Sequence, residues 1–138
     1  MIMNSLRLLS RNVQQIARST AQVRHFQSTS LLLTGKVHDA TDKNFQELIT
    51  AKEPVLVDFH AEWCRPCHTL DPILRDAVKK SGTVTLVRVN VDDCPETSTQ
   101  FQIASIPCVM VFKNGQPVDK FVGAYPKDVV NSFVQKHA

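Results

Sequence analysis

Residues 55–78 restrict the possible folds more than any other part of the chain. Val55-Leu56-Val57-Asp58-Phe59 is a compact, β-branched apolar run behind Pro54, and it reads as a buried strand. It gives way to Trp63-Cys64-Arg65-Pro66-Cys67-His68, after which Leu70, Ile73, Leu74, Ala77 and Val78 recur at i, i+3, i+4, i+7 and i+8. That spacing predicts a helix starting around the cysteines and ending near Ser81-Gly82. Pro72 falls inside it, where it is expected to remove one backbone hydrogen bond and kink the axis.

Two thiols three residues apart at a helix N-terminus share one face and are close enough to close a small disulfide ring. Free N–H groups and the helix dipole favour negative charge at Cys64, which lowers a thiol pKa and raises the thiolate fraction. Pro66 is preorganised for a first helical turn and leaves no N–H unsatisfied. A mechanism follows. Cys64 as thiolate attacks a disulfide in a partner protein, and Cys67, shielded and less acidic, then attacks Cys64 and releases the partner reduced. Asp58, six residues before Cys64, is a candidate acceptor for the Cys67 proton, because burial disfavours a charged carboxylate and raises its pKa.

The same residues admit two other readings. Cys64-x-x-Cys67-His68 has the spacing of a covalent haem attachment site, with His68 as one axial ligand and Met110 as a candidate second. Met110, however, lies in a β-branched strand, and the periodic pattern leaves no obvious haem pocket. A zinc site would need Cys94 and Cys108, which have 13 residues between them and form no second Cys-x-x-Cys. No metal is expected, and Cys94 and Cys108 read as single buried or half-buried thiols.

The flanking sequence supplies the remaining elements. Residues 36–38 form a short strand candidate, and Thr41 offers an N-cap before Phe45, Leu48 and Ile49 at helical spacing. Strands are predicted over 83–91 and 108–112, and a short helix over 96–102. Asn114-Gly115 is a strong hairpin signal, with 118–122 returning antiparallel. A final helix, opened by Pro126-Lys127-Asp128, carries Val129, Val130, Phe133 and Val134. The order β-α-β-α-β-α-β-β-α implies an α/β fold, with a central mixed sheet of about five strands flanked by about four helices on both faces.

A chain of 138 residues that is 43% hydrophobic suits one ordinary domain, and it has no apolar run long enough to span a membrane. The net charge of +3 is unevenly placed. The first 35 residues hold Arg7, Arg11, Arg18 and Arg24 with no acid, and the rest holds 12 Lys+Arg against 13 Asp+Glu. The basic balance belongs to the leader and gives no reason to expect nucleic-acid binding by the body. On a helical projection Leu6, Leu9, Val13 and Ile16 oppose Arg7, Arg11 and Arg18, and serines are frequent. Residues 1–33 therefore read as a mitochondrial transit peptide, and 34–138 as the folded domain. The stretch from Arg24 to Thr34 is similar to a two-step mitochondrial processing signal, which implies a mature chain beginning near Thr34 in the matrix. Four cysteines in that reducing compartment point to redox or metal chemistry.

Val57-Asp58-Phe59-His60-Ala61-Glu62-Trp63-Cys64-Arg65-Pro66-Cys67, then VRVNVDD, SIPCVMVFKNG and DKFVGA, resemble the thioredoxin family over about residues 36–137. The resemblance implies the thioredoxin fold. It also implies that Trp63 shields the dithiol and that Pro107, after Ile106, is a cis-proline beside it. Ile106 backbone would pair with an extended partner segment, Gly123 would leave room for it, and Phe59, Trp63, Ile106 and Gly123 would form an apolar rim. Arg88 stands where the family commonly has a lysine near the buried aspartate. Two departures concern the site. Arg65 replaces a customary glycine after the first cysteine, where a cation should favour the Cys64 thiolate and alter potential or partner preference. Cys108 replaces a customary threonine, placing a further oxidisable thiol near the dithiol.

The resemblance implies a protein-disulfide reductase with no cofactor beyond a redox-active Cys64–Cys67 disulfide. It would act as a monomer, be recycled by an NADPH-dependent thioredoxin reductase, and serve peroxiredoxin and other disulfide-containing proteins. No Gly-rich dinucleotide fingerprint occurs, so NADPH is not expected to bind this chain. An oxidase or isomerase of the same fold, or a non-catalytic binding module, stands as the alternative.

Overall fold

The computed structural model describes residues 35–138. The expected transit peptide lies outside the described residues. The elements are β1 (Val37–Asp39), α1 (Phe45–Ile49), β2 (Val55–His60), α2 (Arg65–Ser81), β3 (Thr85–Asn90), α3 (Pro95–Gln100), β4 (Cys108–Lys113), β5 (Gln116–Val122) and α4 (Lys127–His137). The strands form one mixed sheet in the order β1-β3-β2-β4-β5. β3 pairs parallel with β1 and β2, whereas β4 pairs antiparallel with β2 and β5.

β2 is the centre of the sheet, and all six of its residues are buried, because helices cover both faces. On one face Val55, Val57, Phe59, Met110 and Phe112 pack with Phe45 and Ile49 of α1 and with Phe101. Four phenylalanines mesh there at centroid separations from 5.2 Å (Phe101–Phe112) to 6.4 Å (Phe45–Phe59). On the other face Leu56, Val109 and Val111 meet Leu70, Leu74, Ala77 and Val78 of α2 and Val130 and Val134 of α4. Lys127 of α4 reaches Asp76 of α2 at 2.8 Å, and His137 and Lys136 hold Asp119 of β5 at 2.9 Å.

Local chemistry sets the element ends. Cys64 is the N-cap of α2, with Pro66 in the first turn, and Gly82 terminates the helix at φ 69°, its N–H donating to Val78 O. Pro72 lies within α2, and the helix continues past it to Ser81. Thr41 Oγ1 accepts from Asn44 N while Asn44 Oδ1 accepts from Thr41 N, so the expected cap closes a turn ahead of α1. Asn114 and Gly115 both have positive φ, as a two-residue hairpin turn requires. This turn pairs Lys113 with Gln116, so β5 begins two residues before the sequence pattern suggested. An irregularity opposite Val111 and Phe112 leaves Val118 half exposed, at 50%.

Candidate active site

β2 delivers the chain to the C-terminal edge of the sheet centre, and α2 starts there. Cys64 and Cys67 are joined by a disulfide across a Cα separation of 5.3 Å. Cys64 N donates to Ala61 O at 3.2 Å, and Cys64 O accepts from His68 N at 3.3 Å, which begins the helical ladder. Both cysteines are buried, at 4% and 3% exposure, and pack with Ala61 and with the partly buried Val91 and Ile106. The Ile106–Pro107 bond is cis. Gly123 N donates to Pro107 O at 2.8 Å, so Gly123 is tied to this loop. Gly123 has φ 106°, and a Cβ built there would meet nothing, so backbone conformation rather than space calls for glycine.

Trp63 stands 71% exposed before α2, its Nε1 donating to Asp92 Oδ2 at 3.0 Å. Arg65 and Pro66 are also exposed. Half-buried Ile106 packs against the two cysteines, and Val122 and Tyr125 on either side of Gly123 are exposed.

Asp58 lies on β2 on the sheet face that α2 covers, 1% exposed, and its Oδ1 has no hydrogen-bond partner among the described residues. Burial pushes its pKa up to about 7, the Asp71 charge adds to that rise, and Arg88 and Arg75 oppose it. His60, two residues on and on the same strand face, is held below its usual value by burial and then by Arg88. A polar cavity of about 300 Å³ is lined by Cys67, His60, Glu62, His68, Asp71 and Arg88. Asp71 Oδ1 meets Arg88 Nε at 2.8 Å and Asp71 Oδ2 meets Arg75 Nε at 2.7 Å. Arg88 Nη1 also contacts Asp39 Oδ1 at 3.2 Å.

Two expectations need correction. Phe59 is not part of the rim: it is 0% exposed and packs in the phenylalanine cluster beneath α1 and α3. Cys108 packs in that same cluster, on the sheet face opposite α2, rather than with the dithiol. Neighbouring residues on a doubly buried strand point to opposite faces, and apolar character alone does not say which. Cys94 is also buried there, its Sγ–H donating to Ala40 O at 3.4 Å, and burial raises the pKa of both thiols. His68 Nε2 donates to Glu62 O at 2.7 Å, and Met110 lies across the sheet. The haem and zinc ligand sets are thus not assembled, and no group of three or more His, Cys, Asp or Glu among the described residues is arranged to hold a metal.

Sequence reasoning missed Asp71, Asp92 and Val91. Asp71 carried a signal, since it lies four residues after Cys67 and so on the same helix face. Asp92 and Val91 follow a strand end, and nothing local connects them to Trp63 or the thiols.

The thioredoxin family profile matches residues 36–136. A thioredoxin of Alicyclobacillus acidocaldarius is 47% identical over 89 residues, covering 64% of this chain and 85% of that protein. The mitochondrial thioredoxin of Mus musculus is 39% identical over 107 residues, covering 76% of this chain and 63% of that protein. A solved mutant thioredoxin from Halobacterium salinarum shares the fold at a TM-score of 0.69 and 19% identity, over 75% of this chain and 92% of that one. With the profile spanning most of its length, and with a Cys-x-x-Cys disulfide opening the helix after the central strand, the chain belongs to the thioredoxin family.

Proposed function

We propose that this protein-disulfide oxidoreductase works as a reductase, cycling Cys64 and Cys67 between dithiol and disulfide. The observation that carries the reading is the Cys64–Cys67 pair at the first turn of α2, beside exposed Trp63 and following a central strand that carries a buried carboxylate. Cys64 is the nucleophile. Its thiolate attacks a partner disulfide, forms a mixed disulfide and expels the first partner thiolate. Cys67 then gives its proton to the Asp58 carboxylate, attacks Cys64 Sγ and expels the second partner thiolate. Two electrons and two protons pass from the dithiol to the partner. Arg65 and Pro66 tune the pair, Arg65 by stabilising the thiolate and Pro66 by fixing the first turn.

An extended partner segment docks against Trp63, Ile106, Pro107 and Gly123. Its backbone aligns with Ile106, and its cysteine is brought over Cys64. Thioredoxin reductase returns the electrons, and peroxiredoxins and other disulfide-bearing proteins consume them. The acid-free leader supports delivery to the mitochondrial matrix, with the mature domain beginning near Thr34.

Insulin reduction coupled to reductase and NADPH tests the direction, together with equilibrium titration of the dithiol against glutathione. Turnover with a strongly reducing potential is expected. An oxidising potential without turnover would instead favour an oxidase or isomerase, and full biological activity of Cys64→Ser would favour a binding module.

A further inference from the structure

Asp58 and Arg88 are register partners on adjacent parallel strands, so they lie side by side on the sheet face beneath α2. A buried carboxylate next to a guanidinium ordinarily pairs with it, because each would otherwise be left uncompensated. Here the pairing is not made. The ion pairs of Arg88 among the described residues go to Asp71 on α2 at 2.8 Å and to Asp39 on β1 at 3.2 Å. Asp58 Oδ1 has no hydrogen-bond partner among the described residues, and the 2.8 Å contact of Asp71 Oδ1 with Arg88 Nε is an ion pair by distance without hydrogen-bond alignment.

Asp71 is well placed to compete. It lies one helical turn after Cys67, it borders the same polar cavity as Cys67 and Arg88, and its second oxygen is anchored by Arg75 at 2.7 Å. The guanidinium Nε is therefore drawn toward the helix and away from the strand acid. We infer that Asp71 is a positioning residue for the resolving step: by pairing with Arg88 from α2 it keeps that guanidinium off Asp58, leaving a carboxylate with a free oxygen to receive the Cys67 proton. This rests on the reading of Asp58 as that proton's acceptor.

Several groups face Asp58. Asp71 and Arg75 come from α2 and Arg88 from β3, while His60 lies two residues on along the same face of β2. β4 contributes apolar Val109 in register and the Cys108 thiol from the far face. Asp39 of β1 acts through Arg88. Arg75 is partly exposed and engaged by Asp71, which leaves the Asp71–Arg88 contact as the element able to switch between two arrangements. If Asp71 lost its charge, Arg88 would turn to Asp58, which would hold its negative charge at lower pH but accept a proton less readily.

Stopped-flow mixing of the reduced protein with dithiobis(nitrobenzoate) isolates the step. Cys64 releases the first nitrothiobenzoate. Cys67 loses its proton, attacks Cys64 and releases the second, and the rate of that second release is followed from acid to alkaline pH. Asp71→Asn is expected to move the midpoint down by about one pH unit and to slow the plateau about threefold. Arg88→Gln, which removes the cation, is expected to move the midpoint up. Asp71→Glu should retain the wild-type midpoint. A change in helix packing alone would alter rate or melting temperature but would not shift the two midpoints in opposite directions. If Asp71→Asn does not fold, Asp71→Ser takes its place in the comparison with Arg88→Gln. Unshifted midpoints, or shifts in one common direction, overturn the inference. Asp58→Asn separates the two claims. If that variant keeps the wild-type pH profile, the acceptor reading fails and the inference with it. If the profile is lost in Asp58→Asn yet unmoved by Asp71→Asn and Arg88→Gln, only the positioning role fails.

Discussion

Asp58→Asn should make the oxidised protein more stable, and by an amount that depends on pH. Asp58 is almost fully buried, and its pKa is raised from 3.8 to about 7, first by burial and then by the Asp71 charge. Between those values the unfolded chain has released this proton and the folded chain retains it, so the folded state binds more protons. Stability is therefore full below about pH 4 and is lost as pH rises to about 7. A difference of roughly three pH units, at about 1.4 kcal/mol each, corresponds to about 4 kcal/mol at alkaline pH. Asparagine has a similar shape and no charge to bury, so it escapes that loss but retains the polar burial cost. The expected gain is about 2–4 kcal/mol at pH 8, shrinking toward zero near pH 4. Urea unfolding followed by circular dichroism at half-unit pH steps, on both oxidised proteins, gives the difference directly. Carboxylates such as Asp76 and Asp119 titrate alike in both proteins and cancel. A constant difference from pH 4 to 8, or one that shrinks with rising pH, would refute the argument.

The other expectations concern separate parts of the molecule. Cys67→Ser should trap a mixed disulfide on Cys64, visible by mass spectrometry after incubation with an oxidised partner, whereas Cys64→Ser should trap none. Arg65→Gly should raise the Cys64 thiol pKa, and absorbance titration of the thiolate near 240 nm reads that shift; an unchanged titration would remove the tuning role. Phe59→Ala should cost about 3–5 kcal/mol in chemical denaturation, as expected for a core phenylalanine. A loss below about 1 kcal/mol would return Phe59 to the surface rim.

Much of the frame is legible in local sequence. Helix α2 announced itself through apolar spacing, Pro66 in its first turn and Gly82 at its end, all of which are local chemistry. The Asn114-Gly115 turn was equally plain, since few residue pairs accept two positive φ angles in succession. The disulfide pair and the buried acid were legible as candidates because strand, thiols and helix lie within one continuous segment. Resemblance supplied the cis bond before Pro107, which no local pattern demanded.

What remained unreadable was the side each residue takes, and across which gap. β2 and β4 are buried on both faces, so exposure does not alternate along them, and Phe59 and Cys108 could be assigned to either side. Trp63 finds Asp92 across 29 residues, and Arg88 finds Asp39 across 49. The order of elements, the helix ends, the tight turn and the two cysteines at a helix N-terminus all depend on near neighbours, so local sequence carries them. Tertiary structure alone decided that Arg88 lies with Asp71 instead of Asp58, and so how the buried acid behaves. Burial and charge–charge distance are properties of packed neighbours, and chain order does not carry them.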